Sequence, residues 1–234
     1  MKIILTGSTG FIGSEVLRQC LSHPSITSIV VVSRRNIPIT DSKIQLILHD
    51  DFSHYPPTLM SALAGAEACI YCLGSNVPVR PPELNRRINF DYALGTAKSF
   101  SESLVTQNQE KRFRFVYLSG ALPEKDPEKH LWFLAENRRM RGELENALIQ
   151  LDKDTRDTGF EVHIVRPGFV QAQGATIQNW VIGRLANAIM VHHLAACMVE
   201  VALHGYPDVI LENETLNALG KAAIARQPDH DRDD

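Results

Sequence analysis

Apolar residues in this chain follow two rhythms. Short unbroken runs, such as Ile3-Ile4-Leu5 in KIILTG and Ile29 to Val32 in SIVVVSRR, alternate with longer stretches where apolar residues recur every three or four positions. The unbroken runs read as strands buried on both faces. KIILTG, SIVVVSRR, KIQLILHDD, ACIYCLGS, RFRFVYLSG and FEVHIVRPG are predicted as successive strands. The spaced stretches read as the helices between them. Residues 11–23 put Ile12, Val16 and Leu17 on one face, Cys20 and Leu21 a turn later, and Pro24 just past the end. Residues 83–107 and 131–151 repeat that periodicity. Strands alternating with helices predict an α/β fold, a doubly wound parallel sheet flanked by helices. Residues 174–204 are apolar and predict a small C-terminal helical region on the substrate side of the sheet edge.

No internal repeat appears and no linker divides the chain, so residues 1–224 read as a single domain. Residues 225–234 are polar and charged, without large apolar side chains, and are expected to be disordered.

The junction of first strand and first helix carries Gly7-x-x-Gly10-x-x-Gly13. A helix N-terminus offers unpaired N–H groups and a positive dipole end, where a pyrophosphate fits if side chains leave room. Gly7 is expected to make the tight turn, Gly10 to admit the phosphate, and Gly13 to let helix and strand pack closely. Ser8 and Thr9 add hydroxyl donors, and Phe11 and Ile12 add the first helical amides. The spacing has one more residue than G-x-G-x-x-G. Its placement, strand before and helix after, supports dinucleotide binding.

The end of the second strand selects the cofactor. An acidic residue there would bond the ribose 2′-hydroxyl of NAD. The chain instead has Ser33, Arg34 and Arg35. Two guanidiniums suit the 2′-phosphate of NADP. After the third strand, Asp51 (or Asp50) can accept from the adenine amino group, and Phe52 can flank the ring. Leu73, Gly74 and Ser75 close the fourth strand beneath the nicotinamide side. Pro167, Gly168 and Phe169 follow the sixth strand at the same sheet edge.

Composition narrows the classes of partner. The chain has 234 residues, 44% hydrophobic and 22% charged, with a formal net charge of −3. That balance gives no electrostatic reason for a nucleic-acid or membrane partner. No apolar run reaches the roughly 20 residues of a membrane span. The polar glycine loop interrupts any signal-peptide pattern, so a cytoplasmic location is expected. Cys69 and Cys72 spell C-x-x-C inside a strand, where they point to opposite faces, which argues against a redox or metal role. His49, Asp50, Asp51 and His54 lie too close along an extended segment to converge on a metal, so no metal site is expected. His163 reads as a core histidine, and His192-His193 as the opening of a helix.

Together GSTGFIG, VVSRR, CLGSN, RINFDYALGTAKSF, YLSGA, IVRPGF and LENETLNALGKA resemble the atypical or extended short-chain dehydrogenases/reductases. The resemblance is greatest to the Tat-interacting-protein oxidoreductase family, with the NmrA-like proteins as cousins. It implies a Rossmann-like fold, NADP(H), and a Ser upstream of a helical Tyr-x-x-x-Lys. The Ser role falls on Ser119. The Tyr and Lys positions fall on Asn137 and Arg141 in ENRRMRGELENAL, so neither expected residue is present. Asn is no proton donor, and Arg keeps its charge. Ser119, Asn137 and Arg141 are nonetheless the candidate catalytic set, with the last two on one helix face holding a developing oxyanion. Tyr55, Tyr92, Tyr117 and Trp132 do not occupy the motif position. The reading is an NADP(H)-dependent reductase acting on an enone or carbonyl of a small hydrophobic molecule, roofed by residues 169–190. A redox-silent NADP(H) sensor or scaffold with a protein partner is the alternative, and a lyase or isomerase on the same fold is a third reading.

Overall fold

A computed structural model describes residues 1–105, 112–120, 123–124, 135–172 and 188–226. All six predicted strands form: β1 (Lys2–Thr6), β2 (Ser28–Ser33), β3 (Ile44–Leu48), β4 (Ala68–Tyr71), β5 (Phe113–Leu118) and β6 (Phe160–Arg166). Two short strands, β7 (Val170–Gln171) and β8 (Ile189–Met190), pair with each other. A last strand, β9 (Ile210–Glu212), joins the main sheet. The seven-stranded order is β3-β2-β1-β4-β5-β6-β9, and every pairing is parallel. Sequence reading missed β9 because three residues, one of them an exposed Glu, do not make an apolar run.

The helices are α1 (Phe11–Ser22), α2 (Pro57–Leu63), α3 (Pro82–Arg86), α4 (Tyr92–Ser103), α5 (Ala135–Thr155), α6 (Val191–His204) and α7 (Asn213–Arg226). A π turn, Arg87–Asp91, joins α3 to α4. Helix α7 runs two residues past position 224, and residues 227–234 lie outside the described residues. So do residues 173–187, most of the expected roof, and Trp132.

The sheet divides the core into two layers, which makes it doubly wound. On one face Ile4, Cys69, Phe115 and Ile164 meet Leu59, Phe100, Leu144 and Leu148 from α2, α4 and α5. On the other Ile3, Leu5, Ile70 and Val165 meet Val16, Leu17, Cys197 and Leu216 from α1, α6 and α7. Successive strand residues alternate between the layers, as the pleat requires. Cys69 and Cys72 accordingly pack on opposite sides. Of the predicted helical region 174–204, the part described from position 188 is mainly α6, which covers the face of the sheet beside α1; the start of α7, beyond that region, reaches the carboxyl edge at Asn213.

His163 is fully buried, a core histidine, with Nε2 3.8 Å from Glu161 Oε2. Among the described residues, no helix is long and apolar enough to cross a membrane. Nor does any group of three or more His, Cys, Asp or Glu there stand where it could hold a metal.

Candidate functional site

Between β1 and β4 the strand order reverses direction, and the chain leaves both strands at the same edge. Such a switch point opens a crevice at the carboxyl ends of the strands. Two adjoining spaces fill it. The larger, of about 1340 Å³, is lined by the start of α1 and by the loops after β4, β5, β6 and β9. The smaller, of about 220 Å³, runs from Gly7 and Thr9 to Ser33, Arg34 and Arg35. Both are lined by Gly10, Cys72, Leu73 and Gly74, so they form one groove.

The glycine loop is built by backbone contacts. Gly7 has φ +71°, and a Cβ there would stand 2.5 Å from the Cys72 carbonyl. At Gly13 a Cβ would lie 2.1 Å from the Gly7 oxygen, so the helix can approach the loop only because that side chain is missing. Gly10, the N-cap of α1, supplies no side-chain hydrogen bond to the helix. The first amides of α1 therefore face the groove uncapped. Arg34 and Arg35 flank the far end.

Several predicted positions line this groove: Gly7, Thr9, Gly10, Phe11, Ile12, Gly13, Arg34, Arg35, Leu73, Gly74, Ser75, Pro167, Gly168 and Phe169. Phe11 and Phe169 are more than half exposed and give it apolar walls. Gly168 N–H donates to Asn213 Oδ1 at 2.6 Å, which pins the loop after β6.

Three predicted cofactor positions stand elsewhere. Ser8 is buried, its Oγ has no partner among the described residues, and it lines neither space. Phe52 is fully buried, packed edge-on against His49 and tilted against Tyr92, so its ring is not free to flank an adenine. Asp51 Oδ1 accepts from the Ser53 N–H and hydroxyl, making an Asx turn, and Asp51 is not in the groove. Apolar demand from the core claimed Phe52, and a local turn claimed Asp51.

Of the catalytic candidates, Ser119 and Arg141 line the groove and Asn137 does not. Asn137 lies on the stripe of α5 that also buries Met140, Leu144 and Leu148, and it accepts from Asn85 Nδ2 at 2.8 Å. The groove-facing stripe is Arg138 and Arg141. Arg141 NH2 donates to Asn76 Oδ1 at 2.9 Å, and its guanidinium lies against Gly120, where a Cβ would come within 2.7 Å.

Ser119 Oγ donates to Glu145 Oε1 at 2.7 Å. Glu145 is 0% exposed, and Arg166 Nε lies 3.0 Å from each of its oxygens, with a further contact from NH2 to Oε2. Arg166 NH1 also donates to Glu212 Oε1 at 2.6 Å, across the β6–β9 pairing. Sequence reading missed this cluster, although GELE and IVRPGF hold two of its members. Nor did it single out Asn85 and Asn89. Asn89, in the π turn, accepts the Ser75 N–H at 2.7 Å and donates to Asn85 Oδ1 at 2.8 Å. An asparagine ladder thus ties α5 to the loop after β4.

Two groove residues are poor acids or nucleophiles. Burial pushes the Cys72 thiol up to about 12. Burial also raises the Tyr117 phenol, and the Arg141 charge offsets that only in part.

No family model matches the chain. Leucinostatins biosynthesis cluster protein T of Purpureocillium lilacinum is 31% identical over 121 residues, covering 51% of this chain and 42% of that protein. The chain spans less than half the length of the curated relatives it matches. Among solved structures, a short-chain dehydrogenase/reductase of Saccharomyces cerevisiae aligns with a TM-score of 0.67 at 14% identity, over 93% of this chain and 98% of that one. DesIV, a dTDP-glucose 4,6-dehydratase of Streptomyces venezuelae solved with NAD and TYD bound, aligns with a TM-score of 0.65 at 14% identity, over 96% and 81%. These likenesses and the parallel sheet establish a Rossmann-like α/β fold.

Proposed function

We propose that the chain is an NADP(H)-binding oxidoreductase of the atypical short-chain dehydrogenase/reductase type, acting on an enone or carbonyl group, or the matching alcohol, of a small hydrophobic molecule. One observation carries this reading: a single groove joins Arg34 and Arg35, the uncapped start of α1, and the Ser119–Arg141 corner. The fit to a dinucleotide is supported by the two glycines, Gly7 and Gly13, whose missing side chains let the loop close tightly against β4 and α1 and so bring the helix start to the groove. The amides of Phe11, Ile12 and Gly13 would hold the pyrophosphate, and the two arginines the 2′-phosphate. The bound nicotinamide would supply hydride exchange. The protein's own part is then to orient the substrate oxygen, with the Arg141 guanidinium as the donor. The bound NAD of the DesIV structure and the dehydrogenase/reductase naming of the yeast neighbour support a nicotinamide dinucleotide, and the choice of NADP rests on Arg34 and Arg35.

A specific observation favours a second reading, an NADP(H) sensor without turnover. The position that carries Tyr in catalytic relatives is filled by a buried, bonded Asn137. One experiment separates them. The full chain is titrated with NADPH by fluorescence, then mixed with ketones, enones and quinones while NADPH absorbance is followed. The enzyme reading expects binding and oxidation of NADPH, with the oxidation lost in Arg141→Ala while binding remains. Binding without oxidation of NADPH supports the sensor. No binding removes both.

A further inference from the structure

We infer that Glu145 is a positioning residue for proton transfer, acting through Ser119: it turns the Ser119 proton away from the groove, so that Ser119 Oγ accepts the proton of a ligand hydroxyl. This rests on the oxidoreductase reading above and adds the class of substrate, a carbinol interconverting with a ketone.

The argument starts from proton counting. Arg166 holds both oxygens of Glu145, so the carboxylate is an acceptor only. The contact between Ser119 Oγ and Glu145 Oε1 therefore uses the one hydroxyl proton of Ser119. What Ser119 turns to the groove is lone pairs. Towards the groove it is an acceptor.

Charge points the same way. Arg166 is shared between Glu145 and Glu212, so two carboxylates face one guanidinium. Glu212 is 63% exposed and screened by water, whereas Glu145 is fully buried. Glu145 carries the negative charge nearest the Ser119 hydroxyl, which disfavours a further negative charge on Ser119 Oγ itself; Arg166 balances that charge, and Arg138 and Arg141 stand on the groove side. The donor on the other side of the groove is Arg141. A group that offers a proton to Ser119 and an oxygen to Arg141 is a hydroxyl on its way to a carbonyl.

In the oxidising direction the substrate O–H bond would break and its proton pass to Ser119 Oγ, while the Ser119 proton passes to Glu145; once the ketone leaves, that proton returns through Ser119 to water in the groove. The carbon–oxygen double bond forms as the carbinol hydride leaves to NADP⁺, the two-electron acceptor. Reduction runs the same steps backwards. Conjugate reduction of an enone needs no transfer through Ser119.

The test uses the full chain with NADP⁺ and a panel of alkyl and aryl secondary carbinols. The expected result is carbinol oxidation whose kcat rises with pH. Ser119→Ala and Glu145→Gln each lower kcat by about 100-fold or more. The double variant loses no more than either single one, since the two act as a unit. Glu145→Asp restores part of the rate, and NADP⁺ affinity by fluorescence stays unchanged throughout. A second readout needs no turnover: in the cofactor-free protein, Ser119→Ala shifts the infrared carboxylate band of isotope-labelled Glu145. Wild-type kcat and pH profile in either variant, or additive losses, overturn the inference. If Glu145→Gln does not fold, Ser119→Ala decides, because it leaves the Glu145–Arg166 pair in place. A wild type that binds NADP⁺ but oxidises no carbinol overturns this inference and leaves the cofactor reading standing. Failure to bind the dinucleotide overturns both.

Discussion

Asn85 donates from Nδ2 to Asn137 Oδ1 at 2.8 Å, and both side chains are buried. The helix position where the resemblance to short-chain dehydrogenases/reductases would place a tyrosine is here part of the packing between α3 and α5. Asn137→Ala leaves the Asn85 amide without that acceptor, and an unpaired buried donor costs about 1–3 kcal/mol. The expected outcome is a lower denaturation midpoint with turnover per folded molecule little changed. Asn137→Tyr is expected to destabilise as well, because the ring enters space already closed around Asn85 and gains no path to the groove. A gain of activity in Asn137→Tyr would contradict this.

Arg34 and Arg35 line the same recess as Gly7 and Thr9. Hydrogen bonds to charged groups contribute about 1.5–3 kcal/mol. The double substitution Arg34→Ala, Arg35→Ala is expected to weaken NADPH binding by roughly 10- to 100-fold and leave NADH binding nearly unchanged. Added salt should narrow the preference of the unaltered protein. Titration calorimetry with both nucleotides measures this, and equal losses for the two would remove the arginines from the 2′-phosphate.

Gly10 and Gly13 separate binding from folding. A Cβ at Gly13 would stand 2.1 Å from the Gly7 oxygen, so Gly13→Ala forces α1 away from its loop. Overpacking of this kind costs about 1–3 kcal/mol. At Gly10 the same atom would be 3.3 Å from that oxygen, a contact that yields with a small shift. Gly10→Ala is expected to keep most of the stability and lose dinucleotide affinity. Thermal melts with and without NADPH tell the two apart.

His193 opens α6 beside His192, with ring centroids 4.3 Å apart, and its Nδ1 has no partner among the described residues. Burial, helped by the charges of His192 and Lys221, holds the His193 imidazolium down to about 4. Its folded-state value lies below the unfolded one of about 6.5. Between those values the unfolded chain binds more protons, so stability rises with pH. The contribution is present above about pH 6.5 and is lost as pH falls towards 4. Melting temperatures across that range should drop less steeply in His193→Gln than in the unaltered chain, and parallel curves would refute the assignment.

The strands β1 to β6 were legible because a two-sided parallel sheet demands unbroken apolar runs, and such runs survive any detail of packing. The glycine loop was legible for a related reason: backbone crowding at Gly7 and Gly13 excludes side chains whatever surrounds them. Arg34 and Arg35 followed from their place one and two residues past a strand end. Strand β9 was not legible, since its pairing with β6 supplies what its own three residues lack.

Local spacing set the period of α5 but not its rotation. It took the packing of Met140, Leu144 and Leu148 to turn Asn137 inward and leave Arg138 and Arg141 on the groove. Phe52 likewise went to the core because apolar burial outweighs any gain from waiting at a binding surface. Glu145 and Arg166 stand 21 positions apart, and neither residue type announces the other along the chain. Periodicity and glycine placement act between near neighbours, so a reader of the chain can find the elements and the loop. The partners of a buried charge are chosen when distant strands and helices close on one another, and that choice belongs to the folded molecule.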